Sequence, residues 1–354
     1  MKTYSPRVPM APDAEFDKAV QHLLKGRIVA FPTETVYGMG ADAENTRAIG
    51  RIFKFKRRPA NHPLIVHVAP GADPAYWAAG ISSHARTLMD VFWPGPLTLI
   101  LPRAAHVPAE VSGGLDTIGL RCPSHPVAQK LLRRFAEAKG GQGGLAAPSA
   151  NRFGHVSPTT AEHVRAEFPE LLGSWMLVLD GGPSTVGIES TIVDVSRPDA
   201  PPMLLRPGHL GADQLSAVLG ITVVPPDADA PQVSGSLKAH YATRTPLQLV
   251  EVDALPGLIP GLAQEVAQGA RIVLLGFEPR TELFDTGIAY SPCSSAPLAY
   301  ARELYANLRR LDEHEFDRIL VEQPPRTPDW QGVNDRLQRA AAAFEPPGPA
   351  ARKR

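Results

Sequence analysis

The stretch KFKRRPANHP gathers Lys54, Lys56, Arg57, Arg58, Asn61 and His62 where a helix runs into a proline. Cations at a helix C-terminus are favoured by its dipole and need no further task. Yet Lys56 and Arg58 stand two apart beside Pro59, so the turn can aim both into a cleft as an anion site for polyphosphate. More cations stand at strand ends: Arg121 after TIGL, and Arg206 after MLL and before Pro207-Gly208. A single arginine there is ordinarily a surface ion pair. Several, each followed by a turn, suggest convergence on a cleft, because α/β sheets bind ligands beyond their strand ends. Their summed charge suits a nucleoside triphosphate.

Small hydroxyls recur beside these cations. APSANRFG puts Ser149 and Asn151 just past a strand, as an ordinary turn also would. GGPSTVGIESTIVDVS adds Ser184, Thr185, Ser190 and Thr191 around glycines, a composition that suits an anion nest. In RIVAFPTETVYGMGADA a short apolar strand runs into Thr33-Glu34-Thr35, with Tyr37 and two glycines read as a flexible turn. His67 lies inside PLIVHVA, either as a core group or on a cleft wall. No GxxxxGK[ST], no GxGxxG opening a helix after a strand, no GxSxG and no HExxH occurs. GGQGG follows a helix and reads as a turn. The residues alone therefore support a nucleotide- or polyanion-binding α/β domain with no hydrolase triad.

The totals agree. The 354 residues suffice for two domains. Lys+Arg and Asp+Glu are equal at 36 each, so an anion site must come from local clustering. The two cysteines, Cys122 and Cys293, match no zinc or disulfide pattern and point to a reducing compartment. The N-terminus lacks the apolar core of a signal peptide, and no run reaches the roughly 18 apolar residues of a membrane span. A soluble cytoplasmic protein is expected.

The elements that must position these residues alternate. The helical face of DAEFDKAVQHLLKG precedes RIVAF, and the helix NTRAIGRIFKFKRRP is expected to stop at Pro59. Strands PLIVHVA, PLTLILP, TIGLRCP, GGLAA, WMLVLDGG, STIVDVS and PMLLRPG interleave with helices ISSHARTLMDVFWPG, HPVAQKLLRRFAEA and TTAEHVRAEF. This predicts an α/β domain with a mixed sheet over residues 1–222, which the resemblance described below makes the catalytic one. Residues 223–246 lack periodicity and read as a linker, although Lys238, His240 and Tyr241 are more than a spacer needs. Residues 247–345 alternate strand and helix again, as a smaller Rossmann-like domain with a parallel sheet, closed by a helix over residues 333–344. Residues 346–354 form a tail.

The ordered set FPTETVYGMG, IFKFKRRPANHPLIVHV, WPGPLTLIL, GLDTIGLRCPSHP, APSANRFGHVSPT, GGPSTVGIESTIVDV and LLRPG resembles the threonylcarbamoyl-AMP synthase family, the YrdC-like domain, over roughly residues 14–215. The remainder resembles the longer two-domain members. KAHYATRTP is similar to their Lys-His-Tyr-Ala-Pro linker, with Ala239 where the family has lysine and Thr243 where it has proline. GVNDRLQRAA is similar to their closing helix.

The resemblance implies a twisted mixed sheet and one reaction: L-threonine, bicarbonate and ATP give threonylcarbamoyl-adenylate and pyrophosphate. The product then passes to partner proteins that modify an adenosine beside the anticodon of certain tRNAs. Carried over residue by residue, Thr33, His67, Arg121 and Ser190 are similar to the threonine site, with Arg121 on the substrate carboxylate. Lys56, Arg58, Asn61, Thr117, Ser149, Asn151, Arg206 and Tyr241 are similar to the ATP and carbamate site, with Lys56 and Arg58 closest to the chemistry. Magnesium is implied on the triphosphate, with no protein-only metal site. Glu34 keeps two readings, orienting a neighbouring cation or capping its turn. Tyr241 on a linker suggests a lid over the nucleotide. Two rivals remain. One is a YrdC-like module that binds double-stranded RNA without chemistry. The other is carbamoyl transfer as in hydrogenase maturation, whose zinc-binding and acylphosphatase-like segments are not seen here.

Overall fold

A computed structural model describes residues 11–345. The N-terminal ten residues and the expected tail at 346–354 lie outside the described residues. The chain divides into two compact units. One comprises the residues up to Phe153 with Ser157–Ser236, and the other Gly154–Val156 with the chain from Leu237.

In the first unit, α1 (Asp13–Leu24) buries Phe16, Ala19, Val20 and Leu23 along one face, as its spacing predicts. Then come β1 (Ile28–Phe31), β2 (Gly38–Asp42), α2 (Thr46–Lys56), β3 (Ile65–His67), α3 (Ser83–Phe92), β4 (Leu97–Pro102), β5 (Thr117–Arg121), α4 (Pro126–Ala138), β6 (Leu145–Ala146), α5 (Ala161–Glu167), β7 (Met176–Val178), β8 (Thr191–Asp194), β9 (Met203–Arg206) and α6 (Ala212–Leu219). The strands make one mixed sheet in the order β7-β1-β2-β6-β3-β5-β4-β8-β9. Side chains alternate across it. Ile28 and Ala30 join one apolar cluster, while Val29 and Phe31 join another on the opposite face. A strand covered on both faces reads as an unbroken apolar run, which is how RIVAF reads.

Three local expectations are corrected. GMGAD is a strand rather than a turn, with Val29 opposite Gly40 and Phe31 opposite Gly38. A Cβ on Gly40 would stand 2.7 Å from the Phe31 ring, so this glycine permits close packing rather than a bend. α2 ends at Lys56, ahead of Pro59, because Arg57 adopts the left-handed conformation at φ 54°. α6 was not expected; Gly220, at φ 68°, closes it.

The second unit holds β10 (Leu247–Val250), α7 (Leu255–Ala267), β11 (Ile272–Gly276), β12 (Ala289–Pro292), α8 (Pro297–Glu313), β13 (Arg318–Glu322) and α9 (Gln331–Ala341). Its sheet is parallel throughout, in the order β10-β13-β11-β12, as strand–helix alternation predicts. β12 was not expected, since AYSP is short, half-exposed and ends in proline.

Residues 223–246 are not uniform. Val224 N–H donates to Pro202 O at 2.9 Å, and Val233 is buried with Ile100, Ile192, Met203 and Leu205 in the first unit. From Leu237 onward the chain belongs to the second unit.

Candidate active site

The β1–β2 connection is held from inside and outside. Thr33 Oγ1 donates to Val36 O at 2.6 Å and accepts the amides of Val36 and Thr35 at 3.2 and 3.3 Å. The hydroxyl therefore ties the turn that presents its neighbours. The glycine-rich segment before β8 clamps the same loop. Ser184 Oγ donates to Thr33 O at 2.9 Å, Val186 N–H to Glu34 O at 2.7 Å and Gly187 N–H to Thr35 O at 3.1 Å. Tyr37 donates its hydroxyl to Gly182 O at 2.7 Å.

This clamping aims Glu34 at Arg121. Arg121 Nη2 lies 2.6 Å from Glu34 Oε1, and Ser124 N–H donates to Glu34 Oε2 at 3.0 Å. Of the two readings of Glu34, the structure takes the first: it orients a cation. Arg121 Nε is buried with no hydrogen-bond partner among the described residues. Parallel register sets His67 beside Arg121. Burial, then the Arg121 charge, pushes the His67 imidazole down to about 3, so it is neutral at neutral pH.

A second group forms around the end of α2. Lys56 is 1% exposed; its ammonium donates to Ser149 O at 2.5 Å and to Asn151 O. Burial, then the Arg58 charge, holds it well below the ordinary lysine range. Lys56 thus fixes the backbone of the Ser149–Asn151 loop, a role its position beside Arg58 did not signal. Arg58 donates to Pro63 O at 2.9 Å, and its guanidinium lies 5.4 Å from the Phe153 ring centroid.

The third group is Arg206 with Ser190. Arg206 donates from Nε and Nη2 to Ser190 O at 3.1 and 2.9 Å, and from Nη2 to Ser190 Oγ at 3.1 Å. Thr98 Oγ1 lies 2.8 Å from Ser190 Oγ. Ser234 joins the second and third groups: its carbonyl accepts from Arg206 Nη1 at 2.8 Å and its hydroxyl from Arg58 Nη2 at 3.4 Å. Ser234 and Val233 also line a small pocket with Thr117, Gly119 and Ile192.

The first unit therefore carries Thr33, Lys56, Arg58, Asn61, His67, Thr117, Arg121, Ser149, Asn151, Ser190 and Arg206. Asn61 is exposed on the loop after α2. Tyr241 belongs to the second unit, where its ring lies 4.3 Å from His240 and beneath the Arg336 guanidinium at 5.4 Å. Sequence reasoning passed over Thr98, which reads as one more residue of a buried strand, and Ser234, which sits in an aperiodic stretch with no local signal.

Two family models match in succession. Residues 21–208 match the Sua5/YciO/YrdC model, described as telomere recombination. Residues 210–342 match the model described as threonylcarbamoyl-AMP synthase, C-terminal domain. The chain belongs to the threonylcarbamoyl-AMP synthase family. The Bacillus subtilis threonylcarbamoyl-AMP synthase is 38% identical over 336 residues, covering 93% of both chains. The Pyrococcus abyssi threonylcarbamoyl-AMP synthase is 36% identical, over 91% of this chain and 93% of the relative. A solved structure of P. abyssi Sua5 complexed with L-threonine superposes with a TM-score of 0.82 at 32% identity, over 95% of this chain and 96% of that one. The two-domain synthase form expected from the linker and closing helix is thus the form found.

Proposed function

We propose that this protein synthesises threonylcarbamoyl-AMP from L-threonine, bicarbonate and ATP, releasing pyrophosphate, for the threonylcarbamoyladenosine modification of tRNA. The observation that carries this is the set of buried cations at strand and helix ends, Lys56, Arg58, Arg121 and Arg206, in a chain whose two domains both match the synthase family. In this reading Arg121 takes the threonine carboxylate, steadied by Glu34, with neutral His67 and the Thr33 turn beside it. The threonine amine adds to carbon dioxide from bicarbonate, giving a carbamate. A carbamate oxygen attacks the α-phosphorus of ATP, the α–β anhydride bond breaks, and pyrophosphate leaves.

Both reactants are anionic, so the work is charge neutralisation and alignment. Arg58 and Arg206 face the triphosphate, Lys56 holds the Ser149–Asn151 loop against it, and Thr117 and Asn61 complete the nucleotide contacts. Among the described residues no three of His, Cys, Asp and Glu converge as a metal cage. Magnesium would enter with the triphosphate, held by phosphate oxygens and water, where it would offset phosphate charge. Tyr241 would close over the nucleotide with the linker when ATP binds. The labile product would pass directly to tRNA-modifying proteins. We place the reaction in the cytoplasm, where the free thiols of Cys122 and Cys293 stay reduced.

The test is ATP–pyrophosphate exchange with bicarbonate, with and without L-threonine. Threonine-dependent exchange is expected. Double-stranded RNA binding without exchange would favour the non-catalytic module instead.

A further inference from the structure

We propose that β10 pairs edge to edge with β10 of a second copy of this chain, joining two four-stranded sheets into one of eight strands. Among the described residues the two sheets have four margins, and three are closed or blunted. At β7, Leu172 bridges Met176 in parallel, and Gly173 N–H donates to Met176 O at 3.1 Å. At β9, Val224 bridges Met203; its amide donates to Pro202 O and its carbonyl accepts from Leu204 N–H, both at 2.9 Å. At β12, Cys293 N–H donates to Gly276 O at 2.9 Å, so alternation turns Tyr290 and Pro292 outward, and proline has no amide to offer.

The β10 margin is open. Ile319 N–H donates to Pro246 O at 2.8 Å and Gln323 N–H to Val250 O at 2.9 Å, so Pro246, Gln248 and Val250 turn toward β13. Leu247 and Leu249 turn away, each with an amide and a carbonyl that have no partner among the described residues. Beside them runs a groove of about 450 Å³, lined by residues 246–249, Arg318, Ala341 and Phe344 among others. Its charged side chains are already paired. Arg318 lies 2.8 Å from Glu265, and Glu345 lies 3.0 Å from Lys238. Leu249 and Phe344 are half-exposed.

A free edge recruits another strand through main-chain hydrogen bonds. A groove with no unpaired charge selects a neutral, apolar strand over a polyanion or a charged segment. β10 is itself such a strand, since LQLV carries no charge. It is also complementary to itself. About a two-fold axis through Gln248, antiparallel pairing sets Leu247 opposite Leu249 of the second copy, and Leu249 opposite Leu247 of the second copy. Both are hydrogen-bonded pairs, so every outward group of the two leucines is satisfied in each copy. Gln248, exposed in one copy, faces its own counterpart, and the two carboxamides can hydrogen-bond. Alternation puts both leucines on the face of the sheet opposite Val250, so pairing covers Leu249 and Phe344 in both copies. Lys+Arg and Asp+Glu are equal at 36 each, so two copies meet without net repulsion.

The test is sedimentation velocity of the full chain across about 1–300 µM, where a reversible monomer–dimer equilibrium is expected. Leu249→Pro removes an outward amide, loses no bond within the fold and should abolish the dimer. If that variant misfolds, Gln248→Lys decides. From an exposed position it sets two ammonium groups face to face on the axis, and it should weaken the dimer about fivefold. Mild oxidation reads the register. Gln248→Cys should cross-link to its own counterpart, because opposed α-carbons stand about 4.5 Å apart. Val252→Cys should not, because its counterpart lies roughly 25 Å away along the paired strands. A chain that stays monomeric throughout overturns the proposal, as does a dimer indifferent to Gln248→Lys. A monomer that instead binds a labelled octapeptide of alternating valine and threonine gives the edge to a foreign strand and also overturns it. So does a chain that dimerises only once residues 346–354 are removed, which gives the edge to that segment.

Discussion

Glu34 and Arg121, separated by 87 residues in the chain, form a buried ion pair at 2.6 Å. Breaking such a pair from one side leaves an uncompensated charge in the interior. Glu34→Gln should therefore lower stability by about 3 kcal/mol in urea denaturation at pH 7. L-Threonine should raise the midpoint of this variant more than that of the parent, because the substrate carboxylate then supplies the negative charge that Arg121 has lost. An unchanged stability would mean the pair does not form in solution. Equal threonine shifts would remove Arg121 as the carboxylate's partner.

Lys56 and Arg58 should separate in their cost to folding. Lys56→Met leaves the carbonyls of Ser149 and Asn151 without their buried donor, a loss of about 2 kcal/mol. Arg58→Ala gives up the bond to Pro63 O and should lose about 1 kcal/mol. Both should abolish threonine-dependent pyrophosphate exchange while circular dichroism stays native. Exchange that persists in Arg58→Ala would take this guanidinium out of the nucleotide site.

Much of this was legible because the first-domain motifs sit where strands and helices end, and periodicity finds those ends. RIVAF, TIGL and MLL announce themselves as strands, so Arg121 and Arg206 could be placed at sheet margins from the chain alone. GMGAD could not, because glycine signals a turn and a close approach alike; only Phe31 packed over Gly40 tells them apart. The partner of Glu34 was hidden for another reason. A contact over 87 residues leaves no trace in a local pattern, and its geometry comes from three hydrogen bonds with residues 184–187. The phosphate-site reading of Lys56 comes from its cationic neighbours; that its ammonium donates to the carbonyls of Ser149 and Asn151, more than ninety residues away, leaves no local pattern.

His67 sets a pH dependence. Its folded imidazole protonates only near 3, against 6.5 when unfolded. Between those values the unfolded chain holds a proton that the native one refuses. The His67 contribution is therefore complete above about pH 6.5 and declines by about 1.4 kcal/mol per pH unit as the solution is acidified. Burial also depresses His22, His62, His125 and His209, so the whole protein loses stability more steeply. The His67→Asn variant isolates the one residue. Its stability relative to the parent, from urea melts at pH 7, 6 and 5, should improve by about half that amount in the first step and by nearly the full amount in the second. A constant difference would mean that His67 does not titrate outside the native range.

Ser234 occupies Arg206 and Arg58 at once, and Val233 anchors it among Ile100, Ile192, Met203 and Leu205. In the proposed site these are the guanidiniums that face the triphosphate, so ATP binds after the 232–234 segment lifts. A ligand that needs a minor conformation binds more weakly by the fraction of molecules in it. Val233→Asp puts an unpaired carboxylate into that apolar contact and should expel the segment. The expected results are faster amide hydrogen exchange over residues 230–236 and an apparent KM for ATP in pyrophosphate exchange about threefold lower. AMP released per turnover should rise as well, because the same segment then covers the adenylate less completely. If exchange over 230–236 accelerates while KM rises, the segment contributes contacts to ATP rather than competing with it.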